Sequence, residues 1–135
     1  MQVVNNKESI LVVDDDDKNL DLVVNLISED NKAVTVVKAK DGAEALRKIN
    51  NQKFNLIITD LRMPMLDGIG LIRALKDIPK DKQPDAILIL SAYLNKDQKY
   101  GDGSRITYMA KPFDIPTFQN YLSTVLRNSS SPSRE

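Results

Sequence analysis

Four aspartates in a row, Asp14 to Asp17, follow the apolar stretch "ILVV". Asp60 follows "NLIIT", Ser91 follows "AILIL", and Lys111 follows "ITYMA". Each is a polar or charged residue set directly after an apolar run. If one fold gathers these run ends, the result is a pocket of several carboxylates, one hydroxyl and one ammonium. Carboxylates crowded together cannot all stay ionised without a counter-charge. A hard divalent cation supplies one. Mg²⁺ suits one or two carboxylates with waters and a phosphate oxygen, whereas Ca²⁺ takes a larger oxygen cage. A carboxylate can also be a nucleophile and accept a phosphoryl group as an aspartyl phosphate. That reaction is mostly positioning and charge stabilisation, for which a metal, a lysine and a hydroxyl suffice. No histidine base is needed, because the nucleophile is already deprotonated.

The elements that must position these residues are legible as a pattern. Short β-branched runs at 9–13, 34–37, 55–59, 86–90 and 106–110 alternate with helix-period segments. The third and fourth runs are almost continuously apolar, as for strands covered on both faces. "VTVVKA" alternates more and belongs nearer an edge. Leu20, Val23, Val24 and Ile27 share one face of a first helix, which Asp16 and Asp17 lead into, Asp17 being a plausible N-cap. Asp41 caps a second helix with a stripe of Ala45, Leu46 and Ile49. A third carries Ile69, Ile72 and Leu75 or Leu71. Asp114 caps a last one, with Pro116 in its first turn. Residues 92–105 hold few apolar residues and two glycines, Gly101 and Gly103, and read as a turn or two of helix followed by loop. Residues 1–7 read as a loose leader and 128–135 as a flexible tail. Strands alternating with helices predict an α/β fold, a doubly wound parallel sheet of five strands with its crevice at the carboxyl ends of the strands.

Composition narrows the chemistry. The 135 residues suit one domain, and 41% of them are hydrophobic, enough for a core. Lys plus Arg and Asp plus Glu are 19 each, so no basic footprint for nucleic acid exists. With no cysteine and no histidine, thiol chemistry and imidazole chemistry are excluded from this chain. The N-terminus is not a signal peptide and no apolar run is long enough to span a bilayer, so cytoplasm is the expected setting.

The stretches "ILVVDDD", "NLIITDLRMPMLDG", "ILILSAY" and "YMAKPF" stand in the order and near the spacings of response regulator receiver domains, and the chain resembles that family, in the manner of chemotaxis regulators, over residues 8–127. The resemblance implies a flavodoxin-like sheet in order 2-1-3-4-5. It implies a phosphorylation-switched module of two-component signalling rather than an enzyme in the ordinary sense. Asp60 would be the phosphoacceptor. Asp14, Asp15, Asp60 and the backbone carbonyl of Arg62 would hold Mg²⁺, with Asp15 the more direct ligand and Asp14 acting largely through water. Ser91 and Lys111 would contact the phosphoryl group, and the Lys111–Pro112 bond would be cis. Tyr108 would swing inward as Ser91 moves, carrying the signal to a face made of the fourth helix, the fifth strand and the fifth helix. Arg62 and Tyr93 occupy positions that influence phosphate lifetime. The implied partners are a sensor histidine kinase or histidine phosphotransfer protein and a downstream output protein or domain. Neither nucleic acid nor membrane is an implied partner, and the chain would be a monomer or weak dimer. Two other classes compete. A haloacid-dehalogenase-like phosphatase would carry a second aspartate where Arg62 stands, and an adaptor would need no phosphorylation. The chain departs from the family in Leu66, in Gly70 and in "NKDQKYGDGSR", which replaces the usual alanine-rich fourth helix.

Overall fold

A computed structural model of the protein describes residues 8–30, 34–61, 68–92 and 105–126. In chain order the elements are β1 (Glu8–Val13), α1 (Asp17–Asp30), β2 (Val34–Ala39), α2 (Gly42–Asn51), β3 (Leu56–Asp60), α3 (Gly68–Leu75), a 3₁₀ turn (Lys80–Lys82), β4 (Ala86–Ser91), β5 (Ile106–Ala110) and α4 (Ile115–Val125). The five strands form one sheet in the order β2-β1-β3-β4-β5, and every pairing is parallel. This is the doubly wound arrangement expected from the alternation of runs and helices. The expectation of a helical turn and loop over 92–105 falls almost entirely outside the described residues, as do Arg62 and Tyr93.

Alternation along the central strands divides the core into two layers. Leu11 and Val13 of β1, Ile57 of β3 and Ile87 and Ile89 of β4 face α2 and α3, where they meet Ala45, Ile49, Leu71, Ile72 and Leu75. Ile10, Val12, Leu56, Ile58, Leu88 and Leu90 face the opposite way, onto Leu20, Val23, Leu26 and Ile27 of α1 and Phe118 and Leu122 of α4. Burial on both faces explains why β1, β3 and β4 read as unbroken apolar runs. β2 lies at an edge, and its Thr35 and Lys38 are exposed.

The strand limits differ from the apolar runs in an informative way. β3 includes Asp60, which stands opposite Leu90, and β4 includes Ser91, which stands opposite Ala110. These polar residues are therefore the last residues of their strands, fixed by the sheet, rather than the first of the loops that follow. At the other end of the sheet a polar knot joins β1, β3 and β4. The Ser9 N–H donates to Asn55 Oδ1 at 2.9 Å, and Asn55 Nδ2 donates to Asp85 Oδ2 at 3.0 Å.

The cap of α1 is corrected. Asp16, not Asp17, is the N-cap: its carbonyl accepts the Leu20 N–H at 2.9 Å and its carboxylate accepts the Lys18 N–H at 2.9 Å. Asp17 is the first helical residue and pairs across the surface with Lys40 at 3.6 Å. The caps of α2 and α4 fall where expected. Asp41 accepts the Glu44 N–H at 2.7 Å, and Asp114 accepts the Thr117 N–H at 3.0 Å.

Candidate functional site

The carboxyl ends of β1, β3, β4 and β5 meet at one rim. Asp14 follows β1, its own N–H held by Ala39 O of β2 at 3.1 Å. The residue is 5% exposed. Asp14 Oδ1 accepts the Asp16 N–H at 2.9 Å, which is the turn that leads into α1. Asp14 Oδ2 faces Lys111 Nζ at 3.3 Å. Asp60 ends β3, and its Oδ1 accepts the Leu61 N–H at 2.9 Å while lying 3.4 Å from Lys111 Nζ. Lys111 follows β5, and its own N–H donates to Ser91 O at 2.9 Å. One ammonium thus lies between two carboxylates, fixed by the backbone of the neighbouring strand. The Lys111–Pro112 peptide is cis, in agreement with the expectation.

Asp15 is exposed, and its carboxylate joins those of Asp14 and Asp60 in the one group among the described residues able to hold a metal ion, with ligand oxygens within 4.8 Å of one another. This hard, oxygen-only set suits Mg²⁺, which binds through one or two carboxylates and keeps several waters. Burial pushes the Asp60 carboxyl above its usual range, and the negative charge of Asp14 adds to the effect. Lys111 and the Leu61 N–H pull the other way without cancelling it. Three carboxylates against one ammonium leave the rim electron-rich and in need of further positive charge.

The structure brings Asp14, Asp15, Asp60 and Lys111 together as their positions after the apolar runs suggested. Ser91 ends β4 beside them and is 1% exposed. Tyr108 lies on the adjacent strand, opposite Ile89 and half-buried against the layer that faces α2 and α3. Because Ile89 and Ser91 are two apart, Ser91 and Tyr108 share that face of the sheet. Thr59 went unread in the sequence. It is a hydroxyl at the end of an apolar run, and the sheet buries it next to Asp60. Its polarity inside "NLIITD" was the available signal.

A five-stranded doubly wound sheet with an acidic cluster and a lysine at its carboxyl edge defines a flavodoxin-like fold with a charged crevice. Residues 10–123 match the response regulator receiver domain, and the chain belongs to that family. It is 33% identical over 136 residues to the alkaline phosphatase synthesis transcriptional regulatory protein PhoP of Bacillus subtilis, an alignment covering 95% of this chain and 53% of PhoP. It is also 33% identical over 131 residues to the transcriptional regulatory protein ZraR of Klebsiella oxytoca, covering 93% of this chain and 28% of ZraR. The chain thus spans about half or less of these relatives. Among solved structures, the chemotaxis protein CheY4 of Vibrio cholerae superposes with a TM-score of 0.76 at 27% identity, covering 89% of this chain and 99% of CheY4. The receiver domain of sensor histidine kinase PA1611 from Pseudomonas aeruginosa, with a magnesium ion coordinated in its active site cleft, superposes with a TM-score of 0.74 at 26% identity, covering 88% of this chain and 97% of that domain.

Proposed function

We propose that this chain is a phosphorylation-switched receiver, residues 8–127, that takes a phosphoryl group onto Asp60 from a phosphohistidine of a partner protein in a Mg²⁺-dependent reaction. The observation that carries this reading is the Lys111 ammonium standing between Asp14 and Asp60, at 3.3 and 3.4 Å. These residues contain no histidine, so the phosphoryl donor lies outside them, in a sensor histidine kinase or histidine phosphotransfer protein. An Asp60 carboxylate oxygen attacks phosphorus as the P–N bond breaks, and the bonding pair returns to the ring nitrogen of a phosphoimidazole whose other nitrogen carries a proton. The product is an acyl phosphate on this chain and a neutral histidine on the donor. Water later attacks phosphorus and releases inorganic phosphate, restoring the carboxylate.

Lys111 needs only to exchange a carboxylate for a phosphoryl oxygen to stabilise the transferred group, and Ser91 offers a hydroxyl from the neighbouring strand. Asp14, Asp15, Asp60 and the carbonyl of Arg62 hold the metal in this reading. When bound, Mg²⁺ neutralises charge on the phosphoryl oxygens. Both oxygens of Asp14 are already engaged by protein donors, whereas Asp15 has no hydrogen bond or ion pair among the described residues. That contrast supports Asp15 as the direct ligand and Asp14 as the indirect one. Ser91 and Tyr108, on one face of the sheet, carry the change of state outward to an output protein or domain. Arg62 and Tyr93 set phosphate lifetime. The chain acts in the cytoplasm as a monomer or weak dimer and touches neither nucleic acid nor membrane. Among the described residues no helix is long and apolar enough to cross a bilayer.

The test is incubation with acetyl phosphate and Mg²⁺, followed by intact mass. A gain of about 80 Da, one phosphoryl group, is expected, absent in Asp60→Asn and absent when EDTA removes the metal. Turnover of phosphate esters would mark a phosphatase instead, and no modification at all would mark an adaptor.

A further inference from the structure

We infer that Thr59 is a positioning residue for Asp60, acting through the peptide that joins Asp60 to Leu61. The inference rests on the phosphoacceptor reading and deepens it. Thr59 is 1% exposed, and its neighbours across the sheet are the buried Val13 and Ile89. A valine would match this apolar row in shape and polarity, so packing alone does not call for a hydroxyl. That hydroxyl donates to Asp60 O at 2.9 Å. The same peptide unit carries the Leu61 N–H, which donates to Asp60 Oδ1 at 2.9 Å and reaches Leu90 O of β4 at 3.2 Å.

The consequence is a chain of fixed orientations. Thr59 holds the carbonyl end of the 60–61 peptide, and β4 holds its N–H end. The N–H then fixes Oδ1 of the Asp60 carboxylate, the oxygen that also faces Lys111. Oδ2 has no protein donor among the described residues and is the oxygen left to attack. A carboxylate free to rotate would present either oxygen at a range of angles, and small losses of alignment slow an in-line displacement. Thr59 touches neither the phosphoryl group nor the metal in this scheme, so its effect falls on the rate of transfer and not on cation binding.

The experiment compares wild type, Thr59→Val and Thr59→Ser. Each is tested for initial phosphorylation by acetyl phosphate at saturating Mg²⁺, for Mg²⁺ affinity, and for the Leu61 amide proton resonance in ¹⁵N-labelled protein. Thr59→Val is expected to phosphorylate about tenfold more slowly, with Mg²⁺ affinity within about twofold of wild type. Its Leu61 amide proton is expected to move upfield as the hydrogen bond to the carboxylate weakens. Thr59→Ser is expected to recover most of the rate. A Thr59→Val rate within about twofold of wild type overturns the inference, as does a slow rate with an unmoved Leu61 resonance or one that serine does not restore. A wild-type chain that takes no phosphoryl group overturns the phosphoacceptor reading, and this inference with it.

Discussion

Asp14, Asp15 and Asp16 are three adjacent residues of one type with three different surroundings. Asp14 is buried with both oxygens held by protein donors, Asp15 is exposed at the rim, and Asp16 turns away to cap α1. Their substitutions should therefore diverge. Asp15→Asn is expected to weaken Mg²⁺ binding by at least about tenfold, measured by titration calorimetry or by fluorescence of an added reporter, and to slow phosphorylation with it. Asp16→Asn is expected to leave both within about twofold, because asparagine caps as well as aspartate. Asp16→Ala should leave binding intact but lower stability by about 1 kcal/mol in a urea titration. Equal behaviour of Asp15→Asn and Asp16→Asn would mean the rim does not distinguish them. At this scale the sequence was legible wherever a polar residue interrupts an apolar run, which is how Asp14, Asp60, Ser91 and Lys111 stood out. It misassigned the cap between Asp16 and Asp17 because either can serve chemically, and only the path of the backbone decides. It passed over Thr59 because threonine is an ordinary strand former, so a polar residue inside "NLIITD" drew no notice, and only the fold sets it buried beside Asp60.

The amino ends of α2 and α4 are tied down by carboxylates that double as acid-sensitive latches. Hydrogen bonding from the Lys40 N–H, with a smaller pull from Lys48, holds Glu44 of α2 below its usual 4.5. The Thr117 hydroxyl and N–H hold Asp114 of α4 below its usual 3.8. A depressed folded-state pKa contributes stability above the unfolded value, and that stability is lost as pH falls through the folded value. Melting temperature should therefore decline as the pH drops below 4.5, the upper of the two reference values. A Glu44→Gln, Asp114→Asn double variant should start lower at neutral pH and decline less on acidification. Parallel melting curves against pH for the two proteins would contradict this. Most of the elements were readable because caps, stripes and β-branched runs are local signals. The carboxyl end of α3 was not. Gln83, eight residues beyond Leu75, donates its side-chain amide to Leu75 O and to Ile78 O, the latter at 2.8 Å. No helical period points to a residue so far past the last turn.

For the molecule as a whole, the two apolar layers on either side of the sheet are the source of stability, and α4 closes one of them. Phe118 is fully buried there, its ring 5.0 Å from that of Phe113 just after the site lysine. Phe118→Ala is expected to cost about 3–5 kcal/mol, a large share of the roughly 5–15 kcal/mol a domain of this size holds. Chemical denaturation should show the loss as a lower midpoint, and a change under about 1 kcal/mol would place Phe118 outside the cooperative core. Topology at this scale followed from right-handed connections and from the need to cover both faces of β1, β3 and β4. What stayed illegible was distance across the fold, and the Lys111–Asp14 contact is the clearest case, joining residues 97 apart in sequence. During synthesis the chain emerges amino end first. Asp14, Asp15 and Asp60 are then made long before the ammonium that faces two of them. A growing chain carries this acidic trio as bare charge until the edge strand β5 docks against β4 and brings Lys111 to the rim. The last strand of this sheet to be translated is thus the one that completes the crevice, so a chain halted before it holds most of the sheet's sequence and no finished site.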